Sequence, residues 1–182
     1  CIHIDNYSTI THPMQTSPFD HPRRIVGYTH SIEGPWKNHH KEDVGFPQAT
    51  FGSLALREDG SVLMLDRIMR VWIKENGSDE FQMVSGRPVQ PKEISGRYED
   101  PMVWRTEVQY HTIVNDWYGR TAYHFRSKDG VNWTMDPGEA YTIDFDGYED
   151  GTKVGWYKYE RPKVLQDQYG RATHLYLAVI DV

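Results

Sequence analysis

Three times in this chain a proline introduces a run rich in strand-forming residues: Phe46-Pro47, Asp100-Pro101 and Arg161-Pro162. Proline has no N–H to give to a hydrogen-bond ladder, so it reads as the point where a strand begins. The residues after each proline also correspond. Residues 46–67 (FPQATFGSLALREDGSVLMLDR), 100–116 (DPMVWRTEVQYHTIVND) and 161–181 (RPKVLQDQYGRATHLYLAVID) each read as proline, strand, polar turn and a more apolar strand. The prolines lie 54 and 61 residues apart. A second phrase recurs as well: residues 28–36 (YTHSIEGPW) resemble 123–133 (YHFRSKDGVNW), with Ser31 and Ser127 separated by 96 residues, two periods of about 48. Repeats near 50 residues with four strands each are the pattern of propeller blades, in which first strands line a central channel. The same prolines also fit ordinary strand entries in a β-sandwich.

No stretch of a dozen residues keeps apolar positions at helical spacing without a Gly, Pro or Asp-Gly interruption. Short strands are evident at Ser61–Arg67, Tyr110–Val114 and His174–Ile180, with turns at Asp59-Gly60, Asp129-Gly130 and Tyr169-Gly170. The expected fold is all-β and propeller-like, a single domain over 1–182 holding about three blades' worth of four-stranded antiparallel sheet. On this register an outer half-blade runs roughly from Ile4 to Lys41, full blades start at Gly45 and Glu99, and an inner half starts at Tyr159. Propellers usually have four or more blades, so the domain is expected to be incomplete or to be completed by homo-oligomer formation through open sheet edges.

The 182 residues suffice for one core. The net charge is −6 and the Lys and Arg residues are scattered, which argues against a nucleic-acid partner. No apolar run approaches the roughly 20 residues that span a bilayer, so no membrane span is expected. The chain begins at Cys1 rather than Met, from which a processed or truncated start is expected; this single Cys excludes an internal disulfide and any multi-Cys zinc site. Six Trp and twelve Tyr are many for this length. Such side chains stack on sugar faces or fill interfaces, and they are also common in sheets.

Asp100, preceded by Glu99, and Glu160 stand beside two of the three prolines. A carboxyl pair brought to one channel mouth is the minimal equipment for glycosidic cleavage, one group protonating the leaving oxygen and the other activating water or attacking. A lone acid near a turn is ordinarily a solvated surface charge. Two at matched repeat positions are harder to explain that way.

Taken together, Glu99-Asp-Pro-Met-Val-Trp104, Tyr110-His-x-Ile113, Ser127-Lys-Asp-Gly-Val-Asn-Trp133, Gly34-Pro-Trp36 and Tyr159-Glu-Arg-Pro-Lys-Val164 resemble the five-bladed β-propeller glycoside hydrolases, chiefly family 43 and its relatives. The resemblance implies hydrolysis of a poly- or oligosaccharide, with Glu160 as general acid and Asp100 as pKa modulator or, in a shifted register, base. It implies a periplasmic or extracellular location and no cofactor beyond, at most, a structural calcium ion. Arg161 replaces the small residue that commonly follows the general acid, and Phe46 stands where related proteins often carry Asn or His. A third carboxylate is not evident, Asp5 and Asp20 being the N-terminal candidates. The expected sugar-contacting residues are Glu99, Trp104, His111, Trp117, Trp156 and Arg161. The alternative is a non-catalytic carbohydrate-binding or oligomer-forming fragment of the same architecture.

His111, His124 and His174 fall on separate strands and fit a metal site, a sugar contact or hydrogen-bonded sheet histidines. Ser127–Trp133 reads as a hairpin turn with Trp133 packed behind it, and His39-His40 as a solvated loop.

Overall fold

Apolar and β-branched residues gathered in runs of five to nine, broken by Asp- and Gly-bearing turns, fold here into antiparallel ladders. The computed structural model describes residues 27–28, 37–38, 52–78, 80–85, 97–144 and 147–181, and its regular structure is entirely β-strand. In chain order the strands are β1 (Gly27–Tyr28), β2 (Lys37–Asn38), β3 (Gly52–Leu56), β4 (Val62–Asp66), β5 (Val71–Lys74), β6 (Phe81–Ser85), β7 (Tyr98–Arg105), β8 (Tyr110–Asp116), β9 (Thr121–Ser127), β10 (Thr134–Met135), β11 (Tyr141–Thr142), β12 (Lys158–Gln166) and β13 (Ala172–Ile180). No helix among the described residues is long and apolar enough to cross a membrane.

Two sheets are four-strand meanders, β3-β4-β5-β6 and β7-β8-β9-β10, with β11 added along β9. The hairpin β12-β13 forms a two-stranded sheet of its own, and β1-β2 forms a separate two-residue ladder. All pairings are antiparallel. The two meanders thus repeat one strand order. Phe46-Pro47, Asp5, Asp20, His39-His40 and all of the expected half-blade from Ile4 to Lys41 except β1 and β2 lie outside the described residues.

One detail differs from the sequence reading. Pro101 and Pro162 do not open their strands; each sits inside one, at a bulge, between Glu99 and Met102 in β7 and between Glu160 and Lys163 in β12. A bulge leaves an extra residue out of the ladder, and a residue lacking an N–H loses nothing there. The residue before each proline is left-handed, with φ +56° at Asp100 and +51° at Arg161.

The sheets stack face to face. Leu63, Leu65, Met69, Val71 and Ile73 pack on Tyr98, Val103, Val114, Tyr123 and Phe125 in one core, with Val131 and Trp133 against it. On the other face of the second sheet, Trp104, Ile113, Ala122 and Tyr141 meet Tyr159, Val164 and Leu177. First strands adjoin: β7 contacts both β3 and β12, and the Val103 N–H donates to Ser53 Oγ at 2.8 Å. The Ser127–Trp133 turn forms as expected, with Gly130 N–H donating to Ser127 Oγ and Trp133 Nε1 to the Gly130 carbonyl.

Turn chemistry repeats too. Asp66 is fully buried and accepts from the N–H groups of Ile68 and Arg70, from Arg70 Nε and from Trp72 Nε1. Asp167 does the same for Tyr169 and Arg171 in the β12–β13 turn.

Candidate functional site

The two bulges are built alike, residue for residue. Arg97-Tyr98-Glu99-Asp100-Pro101 matches Lys158-Tyr159-Glu160-Arg161-Pro162, so Glu99 corresponds to Glu160 and Asp100 to Arg161. Because side chains two apart share a strand face, the basic residue of each triplet lies beside its glutamate. Arg97 Nε is 3.7 Å from Glu99 Oε2, and Lys158 Nζ is ion-paired with Glu160 Oε1. Both cations also sit over the Trp117 ring, Lys158 at 4.3 Å and Arg97 at 5.4 Å from its centroid. Trp117, which follows β8, therefore joins the two modules through its ring.

Arg67, from the β4–β5 turn of the preceding sheet, grips the first bulge by both backbone and side chain. Its carbonyl accepts the Asp100 N–H at 3.2 Å, its NH2 group donates to Glu99 Oε2 at 2.6 Å, and its Nε faces Asp100 Oδ1 at 3.7 Å. That Nε is buried and has no hydrogen-bond acceptor. A buried guanidinium N–H left unmatched is costly, and here the Asp100 carboxylate lies nearest to it.

Electrostatics single out Asp100. Burial, then the neighbouring Glu99, raises its pKa above the ordinary carboxylate value; Arg67 and Arg161 oppose the shift, and Glu160 adds to it. Asp100 and Glu160 are therefore close enough to feel each other's charge. Tyr141, buried behind them and donating to Asn115 Oδ1, has its phenol pKa pushed up by burial and then by Glu160 and Asp100. Burial lowers the Lys163 pKa, with Asp100 opposing the shift and Arg161 adding to it.

The other expected site residues are distributed differently. Trp104 is buried and stacks on His111 at 5.1 Å, and His111 stacks on His124 at 5.2 Å. Asp136 accepts from His124 Nδ1 at 2.7 Å, and His111 Nδ1 lies 3.1 Å from His124 Nε2. Burial, then His124, pushes the His111 pKa down to about 4. Trp104 and His111 thus form part of a packed aromatic ladder. His174 lies across a concavity of about 420 Å3 from Trp104 and His124, and none of Glu99, Asp100 or Glu160 lines that space. Trp156 is half-buried in the segment leading to β12. Among the described residues no group of three or more His, Cys, Asp or Glu side chains converges to hold a metal ion.

Arg67, Arg97, Lys158, Lys163 and Tyr141 were not anticipated from the sequence. The basic residue two before each glutamate had a signal, since it recurs in both copies and strand period places it on the glutamate's face. Arg67 had none, because it reaches Asp100 from another module.

No protein-family model matches the sequence, and no curated protein matches it significantly.

Proposed function

We propose that the chain is a glycoside hydrolase-like domain that acts on a poly- or oligosaccharide at the Asp100–Glu160 site, within a propeller-like arrangement of its sheets. One observation carries this reading: two adjacent first strands hold their acids at equivalent bulges, with Asp100 and Arg161 in left-handed conformations. Such backbone is retained where surroundings enforce it, and it concentrates at functional sites. The adjoining of β3, β7 and β12 supports the shared mouth that the chemistry needs.

Glycosidic cleavage takes one carboxyl that carries a proton and a second that works as a carboxylate. Burial and the neighbouring Glu99 raise the Asp100 pKa above the ordinary carboxylate value. Glu160 is engaged by the Lys158 ammonium, which orients it. The local chemistry therefore favours Asp100 as proton donor and Glu160 as its partner, whereas the family resemblance assigns the acid to Glu160. Glycosides with leaving groups that need no protonation separate the roles. The variant lacking the acid retains turnover of such substrates while losing it on ordinary glycosides. Asp100→Asn is expected to show that pattern. If Glu160→Gln shows it instead, the assignment is reversed.

A second reading, a non-catalytic module that assembles through sheet edges, is favoured by β13. This strand pairs with β12 alone among the described residues and exposes Leu175, Tyr176, Val179 and Ile180. Glycan binding without product release would support it.

A further inference from the structure

The registers Trp104↔His111, His111↔Arg126 and Ile113↔His124 put these side chains on one face of the second sheet. It is the face that packs on the hairpin β12-β13, since Trp104 and Ile113 meet Tyr159, Val164 and Leu177 there. The stacked rings of Trp104, His111 and His124 therefore form part of the seam between sheet and hairpin. Their charged and titratable neighbours are Asp136 and Arg126 on the sheet side and, across the concavity, His174 of β13.

The hydrogen bonds of this ladder fix how many protons it can carry. Asp136 accepts from His124 Nδ1, so that nitrogen bears a hydrogen. The 3.1 Å contact between His124 Nε2 and His111 Nδ1 then has room for a single hydrogen. His111 Nε2 ends the line 3.5 Å from Thr106 Oγ1, a hydroxyl that can either accept or donate. One proton beyond the neutral state is accommodated by reversing donors along the line. A second sets two N–H groups head to head between imidazolium rings whose centroids are 5.2 Å apart.

We propose that the His111–His124 pair is an acid-operated latch: uptake of a second proton parts the two rings and frees the β12-β13 hairpin from the face of the second sheet. The His111 pKa agrees in sign. Burial and then the His124 charge hold it at about 4 against an ordinary 6.5, with Asp136 opposing the shift and Arg126 adding to it. The latched state is thus intact above 6.5 and weakens as pH falls toward 4. Glu160 lies on β12, so an open latch also withdraws one carboxyl from the site proposed above; that consequence rests on the carbohydrate reading, and the latch does not.

Amide hydrogen exchange read residue by residue in NMR between pH 6.5 and 4, corrected for the intrinsic rate at each pH, tests the latch. Opening coupled to one proton becomes about tenfold more frequent per pH unit in this window. Protection of the paired amides of β12 and β13 is expected to fall at least about tenfold while that of β4 and β5 is kept. In His111→Gln the hairpin's protection should no longer depend on pH, and in His174→Gln it should fall as in the wild type. Should His111→Gln not fold, Arg126→Gln carries the test: loss of this exposed cation should move the fall to higher pH. Hairpin protection that is constant with pH, that falls equally in His111→Gln, or that falls only together with β4 and β5 overturns the inference. So does a fall abolished in His174→Gln, or one that Arg126→Gln leaves in place. Sugar release enters none of these readings, so failure of the latch and failure of the carbohydrate reading are told apart.

Discussion

Asp100 combines three properties that are rare together: an acid side chain, a left-handed backbone and a raised pKa. A carboxyl whose folded pKa exceeds its unfolded value near 3.8 stabilises the fold below that value and loses this contribution as pH rises through the folded pKa. In Asp100→Asn that dependence is absent. The stability of wild type relative to the variant is therefore expected to fall with pH above about 3.8 and then level off, as followed by denaturant unfolding at a series of pH values. A difference that stays constant with pH contradicts the electrostatic account of this residue. His111 has the opposite sign. Its folded pKa of about 4 lies below the ordinary 6.5, so its contribution is intact above 6.5 and is lost as pH falls toward 4. His111→Gln should remove that acid-side loss, and the imidazole resonances of the wild type should titrate near 4 in NMR. Legibility at this scale was uneven. The acids were visible beside their prolines, and the basic partners Arg97 and Lys158 were visible in principle, two residues before each glutamate. The stacking of Trp104 on His111 and His124 was not visible, because it depends on how the strands pair and in what register.

Strands and turns were the most legible elements. The runs at Ser61–Arg67, Tyr110–Val114 and His174–Ile180 form the strands Val62–Asp66, Tyr110–Asp116 and Ala172–Ile180, since apolar stretches between Asp- or Gly-bearing turns have few other ways to bury themselves. Pro101 and Pro162 sit at bulges rather than strand starts because both places tolerate a missing N–H equally, and sequence alone does not separate them. Two turn residues are expected to be sensitive. Gly170 has φ +76°, and a Cβ there would come within 2.2 Å of the Arg105 carbonyl oxygen on β7. Gly170→Ala should cost about 1–3 kcal/mol, read as a lowered denaturation midpoint. Asp66→Ala removes a buried carboxylate from several donors and strands Arg70, so a loss of roughly 3–5 kcal/mol is expected. A loss below about 1 kcal/mol in Asp66→Ala would mean that Arg70 and Trp72 find other partners.

At the scale of the whole molecule, two four-stranded meanders and a hairpin stack with their first strands adjoining. β4 and β8, the second strands of the two meanders, are flanked on both sides, whereas β13 in the same position of the third sheet is flanked by β12 alone among the described residues. A long apolar edge of this kind seeks a partner strand. Sedimentation velocity should show concentration-dependent association that Tyr176→Lys together with Val179→Lys abolishes. A monomer at all concentrations would remove the assembly reading. The catalytic claim is tested most directly by sugar release from a panel of neutral and acidic polysaccharides, comparing wild type with Asp100→Asn and Glu160→Gln. Measurable release by the wild type, reduced at least about 100-fold in each variant, is the expected result, that being the scale of one general acid or base. Turnover unchanged in both variants would contradict it.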